Sequence, residues 1–462
     1  MFKFIIFTFS FIFSSSFGGE IITSQNYTDS SQLLQVLLNS INIPMHPYID
    51  FGNTAWVLTA TALVLLMTIP GLAFFYGGLV KRKNVLSVLM QCLIALSVIS
   101  VIWVVFGYSL TFSPGKGALA GFIGSFDWAF LNHVGFEPSP YTAAQPYARI
   151  PHLAFMIFQC MFAVITPALI IGAFAERMKF SAYLIFIILW SIFVYMPVAH
   201  WLWAQDGWLL KMGAVDFAGG IVVHINAGIA ALMTTLFIGK RKNHLHSHPH
   251  NLTFTVLGTG LLWFGWFGFN AGSALAADGL AANAFVVTNT SGAIAAITWV
   301  ILDWIFIKRP TILGVATGAI AGLAAITPAS GFVDIYGALG IGIFASLICY
   351  IFVIIIKPRL SYDDALDAFG VHGVAGIWGT FAVGLYATPL VQSAYKGLAS
   401  GSLHLLKVQS IAIISTIVYS MIVTTIIYWL INLTVGVRVD EAEESTGLDI
   451  SEHNERAYTI IE

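Results

Sequence analysis

The sequence predicts an all-α membrane protein with eleven transmembrane helices, arranged as two inverted five-helix repeats plus a final helix. Three observations lead there. Apolar residues make up 58% of the 462 and charged residues only 9%, whereas a soluble chain carries about 25% charge to cover its surface. The apolar residues fall in continuous runs long enough to cross a hydrocarbon core of ~30 Å, without the alternation of a barrel strand. The fifth and tenth runs open on similar, unusually polar sequences. Together these exclude a soluble enzyme, a nucleic-acid binder and a disordered scaffold.

The chain begins MFKFIIFTFSFIFSSSFGGE, with one lysine, an apolar run too short to span and then small residues. Residues 1–18 therefore read as a signal peptide, with an uncleaved anchor as the alternative. Residues 19–50 are polar and form the expected extracellular N-terminal segment. Its Asn26-Tyr27-Thr28 sequon makes Asn26 the glycosylation candidate.

Spans are expected at 55–79, 84–110, 152–175, 180–200, 217–238, 252–272, 284–307, 312–327, 335–356, 368–388 and 408–433. With the N-terminus outside, 14 of the 20 Lys and Arg residues fall in inner segments and six in outer ones, as charge bias in membranes requires. Two blocks of five spans insert with opposite topology because five is odd, and in such repeats the substrate path lies at their interface. Cys92, Cys160 and Cys349 each sit in an apolar run, so no disulfide framework is implied. Residues 436–462 form a cytoplasmic tail, eight acids and two bases from Val437 onward, expected to be a regulatory or packing segment in water.

The fifth span opens Asp216-Phe217-Ala218-Gly219-Gly220-Ile221-Val222-Val223-His224, and the tenth opens Asp367-Ala368-Phe369-Gly370-Val371-His372. Each reads acid, Phe, Gly, then a histidine inside the membrane. An ionisable group there is costly and marks function by default. Gly220 and Gly228 flank His224 on one helix face, and Gly376 lies one turn beyond His372, so other helices or a narrow passage can come close. The alternative for either ring is a buried histidine satisfied by a backbone carbonyl. Depth leaves contact between the two open, with His224 about 10 Å from the outer edge.

Asp216 can cap the first free amides of its helix, or can draw a cation toward the outer end. Trp201, Trp203 and Trp208 follow the fourth span, and Phe162 lies in the third. They are either interfacial belt residues or a cation site built from ring faces. Trp266-Phe267-Gly268-Phe269-Asn270-Ala271-Gly272-Ser273 adds rings and a hydroxyl at the outer end of the sixth span. His244 to His250 could be a metal tract or a solvated loop. An intramembrane metalloenzyme finds no third ligand and no HExxH pattern.

The segment DFAGGIVVHINAG resembles the signature of the ammonium transporter family (Amt/Mep/Rh). FYGGLVKRKN, GAFAERMKFSA, GWFGFNAGSA, GVHGVAGIWG and GLDISEHNERAY extend that resemblance over about residues 51–458. It implies an ammonium transporter domain over 51–435, a homotrimer with one pore per protomer, and no enzyme activity or cofactor. His224 and His372 resemble the family's hydrogen-bonded twin histidines in the pore. Phe162, Trp203 and Ser273 match its outer cation site, and Phe162 and Phe269 its phenyl gate. Tyr195 and Trp266 match further pore positions, and Asp216 the acid supporting the outer site. The Phe–Trp–Ser set is similar to the Amt/Mep branch, not the Rhesus type.

The function so implied is recruitment of ammonium at the aromatic site, deprotonation, and conduction of ammonia through a hydrophobic twin-histidine pore, with separate proton transfer. The alternative is an ammonium sensor signalling through the tail. Expected partners are ammonium or ammonia, methylammonium, the lipid bilayer, further copies of the chain and a regulator at the tail, with no nucleic acid. The expected location is the plasma membrane, N-terminus outside and C-terminus cytoplasmic.

Overall fold

The computed structural model describes residues 49–143, 149–242, 248–360 and 362–458. The signal-peptide stretch, the segment up to residue 48 with Asn26, and residues 243–247 of the histidine tract lie outside them. Among the described residues eleven apolar helices follow in order: α1 (Phe51–Leu79), α2 (Arg82–Phe112), α3 (His152–Phe174), α4 (Phe180–Met212), α5 (Gly220–Ile238), α6 (Leu252–Ala274), α7 (Gly279–Ile307), α8 (Ile312–Ile326), α9 (Ile335–Arg359), α10 (Phe369–Tyr386) and α11 (His404–Thr434). Ten are long and apolar enough to cross a membrane. The eleventh, α8, has 15 residues, about 22 Å, and is buried along most of its length.

Polar caps explain where the helices begin. Asp50, Asn251, Asp278, Thr311 and Asp334 each accept an amide from the first turn of α1, α6, α7, α8 and α9, replacing water that an apolar environment withholds. These caps carry α1 and α7 to Phe51 and Gly279, ahead of the apolar runs expected from 55 and 284. Conversely α5 starts at Gly220 and not at 217, because the residues after Asp216 turn back onto its carboxylate.

Corresponding helices of the two blocks face each other. Gly258, Gly265, Gly268 and Gly272 line the face of α6 that meets α1; a Cβ at Gly268 would lie 2.6 Å from that of Leu63. The fifth helices cross in the same way. Gly228 of α5 rests on the backbone of Gly373 in α10, while Gly376 of α10 rests on Gly220 and His224 of α5. Rising numbers in one helix meet falling numbers in the other, so α5 and α10 run antiparallel. First against first and fifth against fifth is the arrangement that two inverted repeats produce. Close approach through glycine maximises dispersion contact where lipid leaves no hydrophobic drive between helices.

The described part of the acidic tail, to residue 458, packs on the helices, and several of its acids accept bonds there. Its α12 (Glu441–Thr446) starts with a capping box of Asp440 and Glu443. Lys179 N donates to Val437 O at 3.0 Å and Val439 N to Arg177 O at 3.1 Å. Buried Glu444 accepts from Arg438 at 2.8 Å and from the Lys242 amide at 2.5 Å. Buried Asp449 accepts the Ser87 amide at 2.9 Å, capping α2. Alongside, Arg241 bridges Glu176 at 2.7 Å and Asp363 at 2.8 Å. Burial alone would raise the Asp363 carboxyl, but Arg241 holds it well below the usual carboxylate range.

Gly228→Ala should lower the melting temperature of the detergent-purified protein, since overpacking costs about 1–3 kcal/mol. Gly260→Ala, whose added methyl meets open space, should leave it unchanged; thermal scans of both variants check this.

Candidate functional site

The first amides of α5 emerge inside the protein, away from water, and one carboxylate takes them. Asp216 Oδ1 accepts from Gly219 and Gly220 at 2.8 and 2.7 Å, and Oδ2 from Ile221 and Val222 at 2.7 and 3.0 Å. Folding four amides onto one side chain demands a tight turn, which Gly219 makes at φ +115°, a region open to glycine without strain. Burial pushes the Asp216 carboxyl up while the four amides pull it back down. The next turn is π-wound, over Gly220–Ile225, and it carries His224. Such widened turns recur at functional sites.

α10 repeats this construction from the opposite face. Asp364 accepts from Ala368 at 3.1 Å and from Phe369 at 2.8 Å. Asp367 adopts φ +58°, tolerable for aspartate, and the π-wound Phe369–Gly373 carries His372. Burial pushes the Asp364 carboxyl up, with Lys357 opposing it. In each half the left-handed residue lies three places after the capping acid and the histidine eight places after it. This corrects the pairing of Asp367 with Asp216. Matching acid, Phe and Gly by letter aligned Asp367, whose side chain instead pairs with Lys357. A cap needs enough leading backbone to curl onto the first turn, and Asp364 has it.

The two helices bring their rings together with centroids 5.3 Å apart and planes 8° from parallel. His224 Nδ1 and Nε2 and His372 Nδ1 have no hydrogen-bond partner, so the bond between histidines that the resemblance implies is not formed in this arrangement. Unpaired buried polar atoms are rare and costly, and ask for a functional reason. From His224 a file of rings leads away from the tail-side face. Trp266 stacks on His224 at 5.6 Å, Phe269 lies 6.1 Å from it, Phe162 lies 4.4 Å from Phe269, and Trp203 meets Phe162 edge-on at 5.7 Å.

Each ring is held. Trp203 Nε1 donates to Asp216 O at 2.9 Å, and Trp266 Nε1 donates to Thr327 Oγ1 at 2.9 Å. Ser273 Oγ donates to Phe269 O at 2.8 Å, which uses its proton and leaves acceptor lone pairs. His224, His372, Trp266 and Phe269 line a narrow cavity with Leu169 and Ile320, roomy enough for roughly one water-sized guest. Tyr195 is apart from this file: it is buried, with its ring 6.4 Å from Trp103.

Two contributors escaped the sequence reading. Asp364 had a usable signal, since it precedes His372 by the interval that separates Asp216 from His224. Thr327 had none, because only the packing of α8 on α6 sets its hydroxyl under Trp266. Asp364→Ala should destabilise the protein by about 1–2 kcal/mol, as loss of a helix cap does, and Asp367→Ala by clearly less. Thermal unfolding of the two purified variants checks the order.

Comparison with known proteins gives the family and supports the fold. The model of the Ammonium Transporter Family matches residues 55–458. An ammonium transporter of Bacillus subtilis is 50% identical over 410 residues, spanning 88% of this chain and 99% of that one. The crystal structure of Candida albicans Mep2 superposes with a TM-score of 0.79 at 33% identity, covering 87% of this chain and 90% of that one. A solved sensor Amt protein reaches 0.78 at 29% identity, covering 87% and 98%. A multi-pass membrane chain with these relatives belongs to the ammonium transporter family, in its Amt/Mep branch, and is a transporter of ammonium rather than an enzyme.

Proposed function

We propose that the protein recruits the ammonium cation at Phe162, Trp203 and Ser273, takes a proton from it, and conducts ammonia past Phe269, Trp266, His224 and His372. The observation that carries this reading is the unbroken file of rings from Trp203 to the histidine pair, ending in a narrow, mostly apolar cavity. Ring faces attract a cation by about 0.5–2 kcal/mol per contact, and Ser273 offers an acceptor to its N–H groups. Potassium has the same charge and similar size but donates no hydrogen bond, so the hydroxyl favours ammonium.

Beyond the mouth the cost changes sign. A dry apolar passage penalises an ion by several kcal/mol or more, and a small neutral polar molecule far less. The unpartnered histidine nitrogens supply the hydrogen bonds that ammonia loses on leaving water. The proton travels separately or along the histidines. Asp216 supports the mouth through the carbonyl that holds Trp203. Tyr195 is assigned to the pore by the family resemblance alone. In this reading the transporter domain spans 51–435 and assembles as a trimer in the plasma membrane, its tail cytoplasmic and its N-terminal segment outside, with the leader removed and Asn26 glycosylated.

His372→Ala should abolish or redirect conduction while surface expression persists. Methylammonium uptake into cells lacking their own transporter, with potassium as competitor, measures this; undiminished uptake would sink the path. Current recorded under voltage clamp with the wild-type protein decides whether net charge crosses.

A second reading, sensing, rests on the tail. Its bonds to Asn84, Ser87, Arg177 and Lys242 tie it to the tail-side ends of several helices, so occupancy could be relayed to a partner there. A downstream ammonium response that disappears on tail removal, beside persisting uptake, would favour it.

A further inference from the structure

α11 belongs to neither repeat, yet its buried Gln409 reaches into the segment that carries Asp216. Gln409 Oε1 accepts from Val215 N at 2.9 Å and Gln409 Nε2 donates to Val215 O at 2.8 Å. One side-chain amide thus takes both polar groups of one residue. The amide orientation follows from the partners, since the reverse would set donor against donor and acceptor against acceptor. The neighbouring backbone is also held: Asp216 O accepts the Trp203 indole at 2.9 Å, and Phe217 N donates to Pro328 O at 3.2 Å. Three consecutive residues are fixed by three different helical regions. Among these anchors, Gln409 alone sets the level of Val215, and through the next peptide that of the carbonyl on which Trp203 hangs.

We infer that Gln409 is a positioning residue for the aromatic mouth: it sets the protein's affinity for the entering cation through Val215 and Trp203, without touching that cation. The inference rests on the recruitment site proposed above. Losing the clamp frees the Val215 peptide groups and, through the Asp216 carbonyl, loosens the angle of Trp203 against Phe162. Binding of the cation then weakens while the passage beyond it is unaltered.

The test is methylammonium uptake against concentration, with surface protein measured, in Gln409→Leu, Gln409→Glu, Trp203→Leu, the Trp203→Leu/Gln409→Leu double variant and Ser420→Ala. Gln409→Glu keeps the shape and the acceptor for Val215 N but sets an oxygen against Val215 O. Both Gln409 variants should raise the half-saturating concentration about three- to ten-fold, the effect of one or two lost hydrogen bonds. The maximal rate per surface molecule should stay within about two-fold, a loss confined to binding. Ser420→Ala, which removes another α11 bond, to Asn226 O at 3.2 Å, should change neither. In the Trp203→Leu background the Gln409 change should add nothing, because the two act as one unit.

An unchanged half-saturation in Trp203→Leu overturns the recruitment site and the inference with it. A raised value in Trp203→Leu beside unchanged values in both Gln409 variants overturns the inference alone. Absence of both Gln409 variants from the membrane while Ser420→Ala arrives also overturns it, making Gln409 a folding residue.

Discussion

A helix that begins inside an apolar interior must find acceptors for its first amides, and the rest of this structure depends on how two helices meet that demand. α5 and α10 both start against buried acids of the protein interior, Asp216 and Asp364. Each is supplied by one buried aspartate, Asp216 with four amides and Asp364 with two. The cap forces a left-handed turn, the turn leads into a π-wound segment, and that segment presents a histidine. Remove the capping requirement and nothing specifies where His224 or His372 should lie along its helix.

The glycines that allow α5 and α10 to touch complete the arrangement. With Gly228 on Gly373 and Gly376 on His224, the two histidine-bearing turns overlap instead of lying end to end. Ring proximity is thus a product of backbone proximity. The same economy holds at the aromatic file, where the two indoles are anchored by bonds to backbone or hydroxyl, Trp203 to Asp216 and Trp266 to Thr327. Rigid rings cost little conformational entropy to hold, and a dry lining of this kind stays open only if its members cannot collapse inward.

Much of this was legible in the chain itself, for definable reasons. Lipid obliges the helices to be long and uniformly apolar, so their number and order could be read directly. Two histidines in such runs stand out because charge is costly there. Odd-numbered blocks implied opposite insertion, but the contact of first with first and fifth with fifth helix appears only in the packing. What stayed hidden was whatever depends on side chains meeting across distant sequence. The equivalence of Asp364 to Asp216 was obscured because letter matching favours Phe and Gly, whereas capping is a matter of spacing. The clamp on Val215 comes from α11, which has no counterpart in either repeat. The composition of the tail predicts a regulatory or packing segment in water, but does not reveal that Glu444 and Asp449 are buried acceptors.

The twin caps also bear on electrostatics. A helix start carries about half a positive charge, and left bare it would repel any approaching cation. At α5 the carboxyl oxygens of Asp216 lie against four of those amides and offset that charge. At α10 the balance differs, because Lys357 lies beside both Asp364 and Asp367. The two helix starts are therefore electrostatically unequal, the first offset by Asp216 and the second by acids that share a lysine.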